Sequence, residues 1–353
     1  MPIQTSIDSI NNNLGSPFGF KNRIINGAMV IDQRNAGAAT ASSYTGYVLD
    51  RWQVQQTTTG KLIAQQNAGS VTPPTGFTKY LGVTSQSAYS VGTNDLFWIQ
   101  QSIEGFNVAD LGFGAAGAST VTLSFWVRSS LTGTFGGNLG NAGTRSYPFT
   151  YTISSANTWE QKTITIVGDT TGTWLTTNGI GLAVYFGLGS GATYSGTAGS
   201  WQSINVGTAT GATSVVGTNG ATFYITGVQL EKGNVATSFD YRDYGNELRL
   251  CQRYYWKFGS TSSEWRPMNF IDGTSIYRAS WDYPVTMRTT PTLTTGGFQY
   301  RAGSSYTNGS VSSSAPQTGM IGISFSCPSA PNTAGYASLV NFTDSLWAVS
   351  AEL

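Results

Sequence analysis

Several large aromatic side chains occur where the surrounding chain consists of glycine and small polar residues. Tyr194 and Trp201 lie in such a segment, residues 187–220, and Trp174 precedes the turn residues Asn178 and Gly179. A flat ring of this kind packs on the C–H side of a pyranose, while planar polar groups bind the sugar hydroxyls. The pattern therefore indicates a sugar-binding surface. Its candidate ligand-binding residues are Trp174, Tyr194, Trp201, Trp265 and Tyr306.

The alternative for each of these rings is a structural role. A ring in a loop can fold under that loop as a small satellite core, because large aromatic side chains are commonly buried. Tyr277 and Trp281 share one face of a predicted strand, so we assign them to the core. Trp52 and Trp159 are likewise assigned to packing.

Catalytic side chains are scarce in this sequence. Histidine is absent, which excludes Ser-His-Asp and Cys-His nucleophile pairs and any His-ligated metal. Glycoside hydrolysis needs two carboxylates that flank the scissile bond, and no spacing here places two acids on one face of one element. We therefore expect no enzyme activity, no metal and no cofactor. A glycan-cleaving enzyme stays an alternative, because distant strands can supply such a pair from Asp95, Glu104, Asp110, Glu160, Asp169, Asp272 and Asp282.

The composition predicts a β protein with two domains. The chain has 353 residues, of which only 10% are charged, with 44 glycines and 13% aromatic residues. Thr, Tyr, Phe and Trp favour strands, and glycine favours the turns between them. The net charge of +1 provides no long-range field to attract nucleic acid. No run approaches the roughly 18 apolar residues of a membrane span, so we expect no membrane insertion.

Hydrophobic periodicity divides the chain into four segments. Residues 1–22 carry a helical stripe of Ile3, Ile7, Ile10 and Leu14, which we interpret as an anchoring segment or a short multi-chain coil, or alternatively as a helix docked on its own domain. Residues 23–240 alternate with a period of two and predict a β-sandwich. Residues 241–255 predict a short linker helix. Residues 256–353 alternate again and predict a second, smaller β-sandwich.

The clearest strand is STVTLSFWVRSS. Val121, Leu123, Phe125 and Val127 fall on one face of it, and Trp126 falls on the other face. The segment 187–220 has too little apolar surface for a core, so we expect long exposed loops with one edge hairpin at most. Long loops on a rigid sandwich are a common place for binding.

Charge is concentrated in residues 227–255, which hold eight of the 18 basic and 17 acidic residues of the chain. In the predicted helix, Asp243 with Glu247 and Arg249 with Arg253 are like-charge pairs four residues apart, which is mildly unfavourable within one helix. We infer that these four residues meet partners elsewhere, at an oligomer or domain interface. A solvated linker helix remains the alternative.

The chain contains two cysteines, Cys251 and Cys327, in different predicted elements. Their spacing fits no metal site, and we interpret them as two reduced, buried thiols. The first residues, MPIQTSIDSINNNLG, contain neither a basic segment nor an apolar one, so we expect no export signal.

Several sequence motifs resemble those of bacteriophage and prophage tail-fibre and related virion proteins. They are RIINGAMVIDQRNAG, LDRW, TVTLSFWVRSS, WEQKTITI, FYITGVQLEKGNVATSFDYRDYGNELRLCQRYY and WAVSAEL. The first 230 residues also resemble, more distantly, the jelly-roll carbohydrate-binding modules of polysaccharide hydrolases. The closing strand departs from that pattern, because Thr226 and Gly227 stand where paired acids are usual, so a structural calcium is not expected.

The resemblance implies an all-β virion protein, a jelly-roll β-sandwich followed by a second sandwich. As a family member it would be a tail fibre or fibre-like appendage, a homotrimer whose partners are other virion proteins and host-surface polysaccharide. It would be assembled in the host cytoplasm and released by lysis. A structural adaptor or head-decoration protein without a glycan ligand is the alternative.

Overall fold

The structure is a computed structural model that describes residues 21–258, 264–268, 270–272, 276–302, 305–327, 338–344 and 346–353. The chain divides into two compact units, one up to Asp243 and one from Tyr244 to Glu352. The predicted attachment residues Ile3, Ile7, Ile10 and Leu14 lie outside the described residues.

The first unit is a sandwich of two antiparallel sheets. One sheet has the strand order β1-β2-β5-β10-β7-β8, and the other has the order β3-β4-β13-β6-β9. These strands, with a short parallel pair β11-β12, are β1 (Gly46–Leu49), β2 (Trp52–Gln56), β3 (Leu62–Gln66), β4 (Leu81–Ser85), β5 (Leu96–Glu104), β6 (Val121–Ser129), β7 (Gly133–Gly140), β8 (Ser146–Ile153), β9 (Glu160–Ile166), β10 (Ile180–Ser190), β11 (Ser195–Gly196), β12 (Thr208–Ala209) and β13 (Thr222–Lys232). The predicted all-β class is confirmed.

Short 3₁₀ turns connect some of these strands. They are Ala68–Ser70, Gly105–Asn107, Ala109–Leu111 and Ala192–Tyr194. Two of them lie between β5 and β6, and they form one end of the sandwich.

The core lies between the two sheets, as the alternation in β6 predicts. Val121, Leu123, Phe125 and Val127 are fully buried, whereas Trp126 on the other face is only partly buried. Burying an aliphatic or aromatic side chain of this size contributes about 1.5–3 kcal/mol. The sheet opposite supplies, among others, Trp52, Phe97, Phe135 and Phe186.

The glycine-rich segment is only in part the exposed loop that the sequence predicts. Strand β10 continues to Ser190, and residues 191–213, here called the strap, then cross the outer face of the six-stranded sheet. Thr208 of the strap is buried there, because Gly136 and Gly187 have no side chains to keep its backbone away. A Cβ on either glycine would clash with Thr208 Oγ1. Residues 196 and 206–209 of the strap are buried, whereas 192–193, 197–200, 203–205 and 210–211 are exposed, so the prediction of exposed loops holds for only part of the strap.

The second unit begins with one helix and continues as three small antiparallel sheets, with orders β14-β24-β18, β15-β23-β19-β20 and β16-β17-β22-β21. Its elements are α1 (Tyr244–Gln252), β14 (Tyr255–Lys257), β15 (Glu264–Met268), β16 (Phe270–Asp272), β17 (Ile276–Asp282), β18 (Thr292–Thr294), β19 (Phe298–Ala302), β20 (Ser305–Asn308), β21 (Ser310–Pro316), β22 (Met320–Ser326), β23 (Ser338–Phe342) and β24 (Ala348–Ser350). Tyr277 and Trp281 of β17 are buried in an aromatic core, as predicted.

The charged stretch, residues 227–255, belongs to two different local structures: the end of β13 with the segment that follows it, and helix α1. After β13 the chain folds back along that strand, where Glu231 accepts hydrogen bonds from the Thr237 backbone N–H (2.9 Å) and from the Thr237 hydroxyl (2.7 Å). The backbone N–H of Asp240 donates to Gln229 Oε1 at 2.8 Å. Arg242 donates to the carbonyl of Ile24 at 3.0 Å. Part of the charged stretch therefore forms hydrogen bonds within the first unit, where it holds residues 233–242 against the rest of that unit.

The remaining charges lie at or near α1. Glu247 is buried, Asp243 and Arg249 are exposed, and Arg253 donates to the carbonyl of Thr286 at 3.3 Å within the second unit. The interface role of these four residues stays a prediction. Both cysteines are buried, and burial raises the pKa of the Cys327 thiol to about 12.

Candidate functional site

Two of the predicted ligand-binding residues come together at one end of the first unit. Trp174 and Trp201 lie with their ring centroids 5.4 Å apart and their planes nearly perpendicular. Phe113 contacts both rings, at 4.9 and 5.7 Å, and Tyr147 lies 5.4 Å from Trp201. We call these four residues the aromatic cluster. All four residues are partly buried against the main core, so none of them is wholly covered by the protein.

Both indole N–H groups of the cluster bind to nearby backbone. Trp174 Nε1 donates to the carbonyl of Thr171 at 3.0 Å, and Trp201 Nε1 donates to the carbonyl of Val167 at 2.7 Å. The segment 167–175 therefore holds both indoles, although Trp201 comes much later in the chain. With their polar edges satisfied, the rings present apolar surface at their exposed side.

An ion pair anchors the same segment. Arg145 Nε donates to Asp169 Oδ2 at 2.6 Å, and Nη2 donates to Oδ1 at 3.0 Å, with both side chains almost fully buried. Arg145 Nη1 also donates to the Ser203 hydroxyl at 2.8 Å, which joins the strap to the segment. Burial raises the pKa of Asp169, but the hydrogen bonds from Arg145 and Thr171 outweigh it and hold the pKa below its ordinary value of 3.8.

A small cavity of about 110 Å³ adjoins the cluster. Phe113 and Trp174 form part of its wall, so the cluster and the cavity are continuous. Its lining residues are Val108, Ala109, Gly112, Phe113, Ala115, Trp174, Leu175, Thr176, Gly181 and Leu182. Two large apolar side chains lie exposed in the adjoining loops: Leu175, which also lines the cavity, is 49% exposed, and Phe106 is 61% exposed.

A second group of polar and aromatic side chains lies on the outer face of the six-stranded sheet. Trp98 Nε1 donates to Gln100 Oε1 at 2.8 Å, and Gln100 Nε2 donates to Gln53 Oε1 at 2.7 Å. Tyr185 packs edge-on against Trp98, and burial raises its pKa to about 12. Sequence reasoning missed this row. The alternation of WQVQQ in β2 and of FWIQQ in β5 is the signal that predicts such outward-facing glutamines.

The strap covers the aromatic part of this outer face. A Cβ on Gly207 would clash with the ring of Trp98, which shows how closely the strap backbone approaches it. Tyr194, a predicted ligand-binding residue, lies here with its centroid 5.9 Å from that of Trp98. Tyr194 is itself a strap residue that packs against Trp98, and the structure does not bring it to Trp174 and Trp201.

The other two candidates lie in the second unit. Tyr306, in β20, is 54% exposed. Trp265 lies in β15, but its side chain falls outside the described residues.

Three of the candidate acids are held by hydrogen bonds. The Gly92 backbone N–H and the Tyr89 hydroxyl lower the pKa of Asp95. For Glu160, burial raises the pKa, but hydrogen bonds from Lys162 and two backbone N–H groups lower it by more, so the pKa lies below its ordinary value. Arg145 has the same effect on Asp169. A glycosidase general acid needs a raised pKa, so these three carboxylates have the opposite tuning.

Neither a metal site nor a membrane helix occurs in the part of the chain that the structure describes. Within residues 21–258 and the later described segments, no three acidic or cysteine side chains are grouped as metal ligands would be. None of the helices described there has the length and apolar character needed to cross a membrane.

Comparisons with known proteins find structural likeness without sequence relatives. No protein family and no curated protein matches the sequence. A putative sugar binding protein from Bacteroides thetaiotaomicron is 10% identical with a TM-score of 0.35, and the match covers 60% of this chain and 100% of that one. The CBM22-1 xylan-binding domain from Paenibacillus barcinonensis Xyn10C is 8% identical with a TM-score of 0.28, covering 56% of this chain and 95% of that one.

The enzymatically active domain of bacteriophage CBA120 tailspike protein 4 is 12% identical with a TM-score of 0.31. The match covers 60% of this chain but only 21% of the tailspike chain. Such distant likenesses assign no function to this chain.

Proposed function

We propose that this protein binds glycans through the aromatic cluster of its first unit. The observation that carries the proposal is the pairing of Trp174 and Trp201 at a centroid distance of 5.4 Å, with both indole N–H groups bound to backbone carbonyls. The exposed parts of these rings are therefore apolar and fixed in position. A pyranose ring has an apolar C–H side that packs on such a surface, and little side-chain freedom is lost on binding.

The setting of the cluster supports this proposal. The Arg145–Asp169 ion pair and the strap residue Ser203 fix the segment that carries Trp174. The segment that carries Trp174 is therefore held in place before a ligand arrives, which lowers the cost of binding.

The biological setting that we propose is a phage virion, in which the protein acts as a homotrimeric tail fibre or fibre-like appendage that contacts host-surface polysaccharide and other virion proteins. Its support is the sequence resemblance from residue 23 onward, above all the stretch from GVQLEKG to LCQRYY. In that setting the chain carries out no catalysis. The lowered pKa values of Asp95, Glu160 and Asp169 argue against these three residues as the general acid of a glycan-cleaving enzyme.

One observation favours a purely structural role as the second candidate. On the outer sheet face, the chain's own strap covers Trp98 and Tyr185, which would otherwise offer an aromatic surface. A protein that only joins or decorates other virion components would need neither this face nor the cluster to be open.

The test is a glycan array probed with the wild-type protein, Trp174→Ala, Trp201→Ala and the control Trp159→Ala. Trp159 is a matched control because it is also partly buried and also donates its indole N–H to a backbone carbonyl, that of Thr72, at 2.9 Å. Losing one stacking ring should weaken binding at least tenfold for the first two variants and leave Trp159→Ala unchanged.

Three results would overturn the proposal. Equal binding by all four proteins would remove the cluster from the site. Binding to purified virion proteins but to no glycan would establish the structural role. Release of reducing ends from a bound polysaccharide would establish the enzyme.

A further inference from the structure

We propose that the cavity beside Trp174 receives the acetyl group of an N- or O-acetylated sugar. This inference rests on the proposed glycan binding and narrows it to acetylated glycans. It concerns a different set of atoms, because the sugar ring packs on the aromatic cluster while the substituent enters the cavity.

The size of the cavity limits its occupant to a few atoms. Its volume is about 110 Å³, smaller than the roughly 150 Å³ of an engineered protein cavity that accepts benzene. A pyranose with its hydroxyls has about twice as many non-hydrogen atoms as benzene and does not fit. An acetyl group has three non-hydrogen atoms and fits with room to spare.

The lining of the cavity selects for an uncharged, mostly apolar group. None of the ten lining residues is charged, and the buried side chains Val108 and Leu182 contribute apolar surface. Phe113 and Trp174 add aromatic surface, on which the methyl of an acetyl group packs favourably. Thr176, which is exposed, has the hydroxyl that can donate to the acetyl carbonyl.

Backbone hydrogen bonds hold the cavity walls in place. Gly105 donates to the carbonyl of Gly179 at 2.9 Å, and Phe106 donates to the carbonyl of Thr177 at 2.9 Å. Gly114 donates to the carbonyl of Asp169 at 2.8 Å. These bonds join the turns that follow β5 to the segment that precedes β10. The cavity is therefore formed before a ligand arrives, which lowers the cost of binding.

The cavity and the aromatic cluster share Phe113 and Trp174. A sugar whose ring lies on the exposed surface of the cluster consequently has its edge next to the cavity mouth. A substituent on that edge enters the cavity without any change in the chain. Because the cavity and the aromatic cluster share these two residues, we assign the cavity to a substituent of the bound sugar.

The experiment compares sugars that differ only in the acetamido group. Three matched pairs are printed on one array: N-acetylglucosamine with glucose, N-acetylgalactosamine with galactose, and N-acetylmannosamine with mannose. Each pair is probed with the full-length wild-type protein, Ala115→Leu and Ala116→Leu. Both alanines are exposed neighbours, but only Ala115 lines the cavity, so Ala116→Leu controls for the added side chain.

We expect the wild-type protein and Ala116→Leu to bind the acetylated member of at least one pair about four- to tenfold more tightly, the gain from burying a methyl and its carbonyl carbon. Ala115→Leu should bind both members of that pair alike, because the leucine fills the cavity. Equal thermal unfolding of the two variants verifies that Ala115→Leu is folded.

The remaining outcomes separate the two proposals. If the wild-type protein binds both members of every pair equally, the acetyl inference is wrong and glycan binding stands. If Ala115→Leu retains the preference, the acetyl group binds elsewhere. If neither these sugars nor any other glycan on the array is bound, glycan binding itself is wrong and the inference falls with it.

Discussion

Arg145 and Asp169 form a bidentate ion pair at the base of the candidate site, with donor–acceptor distances of 2.6 and 3.0 Å. Arg145 lies in the connection between β7 and β8, so the pair joins that connection to the segment that carries Trp174. Only 3% of the Asp169 side chain is exposed, so water screens this interaction weakly.

We expect Asp169→Asn to lower the free energy of unfolding of the first unit by about 3 kcal/mol at pH 7, because the substitution leaves the Arg145 charge buried without its counter-charge. Since the pKa of Asp169 lies below its ordinary value of 3.8, the carboxylate stabilises the fold fully above about pH 4 and stabilises it less as the pH falls through the lowered pKa. The difference between the wild type and the variant should therefore shrink in urea titrations at pH 3.

Asp110→Asn is the matched control for that experiment. Asp110 also pairs with an arginine, Arg23, at 2.8 Å, but its side chain is 50% exposed. Although the Arg23 side chain is only 9% exposed, it also donates to the carbonyl of Asn107 at 3.0 Å, and water reaches the Asp110 side of the pair, so this variant should lose no more than about 1 kcal/mol. Equal destabilisation by both substitutions would contradict the view that burial makes the Arg145–Asp169 pair important.

The strap should detach when a side chain is added at its closest approach to the sheet. In Gly207→Ala the new Cβ clashes with the Trp98 ring, and in Gly187→Ala it clashes with Thr208. We expect chymotrypsin to cleave at Tyr194 or Trp201 at least tenfold faster in both variants, as measured by mass spectrometry of the fragments. Gly143→Ala, whose Cβ would meet only ordinary contacts, should be cleaved at the wild-type rate.

The fold-back of residues 233–240 should depend on Glu231. In Glu231→Gln a neutral amide replaces the charged acceptor, which weakens the hydrogen bond from the Thr237 backbone N–H, while the new N–H₂ must donate to the Thr237 hydroxyl instead of accepting from it. We expect a loss of about 1–3 kcal/mol in the free energy of unfolding, measured by urea titration. The neighbouring exposed residue provides the control, since Lys232→Gln should change the free energy by less than about 1 kcal/mol. If Glu231→Gln left the free energy of unfolding unchanged, Glu231 would not hold this segment.

Oligomeric state is tested by light scattering at near-physiological salt. We expect a mass three times that of the 37.5 kDa chain. Changing Arg249, an exposed residue of the predicted interface, to Gln should reduce the trimer fraction. Arg278→Gln, which alters an exposed arginine of β17, should not. A stable monomer at micromolar concentration would remove the homotrimer proposal.

Local patterns in the sequence predict the elements of this fold well. The alternation of Val121, Leu123, Phe125 and Val127 predicts β6 and its buried face, because successive side chains of a strand must point to opposite sides. Helical spacing with acids first and bases last likewise predicts α1 within residues 241–255. These features depend on a few neighbouring residues.

The strap shows where composition misleads. A segment of glycines and small polar residues predicts exposure, because it has little apolar surface of its own. The glycines Gly136 and Gly187 on the sheet beneath it allow backbone to pack directly on backbone, and that packing buries Thr208. The relevant residues lie in three separate strands or loops, so no local window contains them.

By itself, the sequence determined the all-β class, the order of most strands along the chain and the types of residue available for binding, since local sterics and periodicity govern each of these. Only the tertiary structure decided that Trp174 meets Trp201 while Tyr194 packs on Trp98. The physical reason is that strand register and loop packing set contacts between distant residues. Those contacts depend on the whole sandwich, and no neighbouring stretch of sequence contains that information.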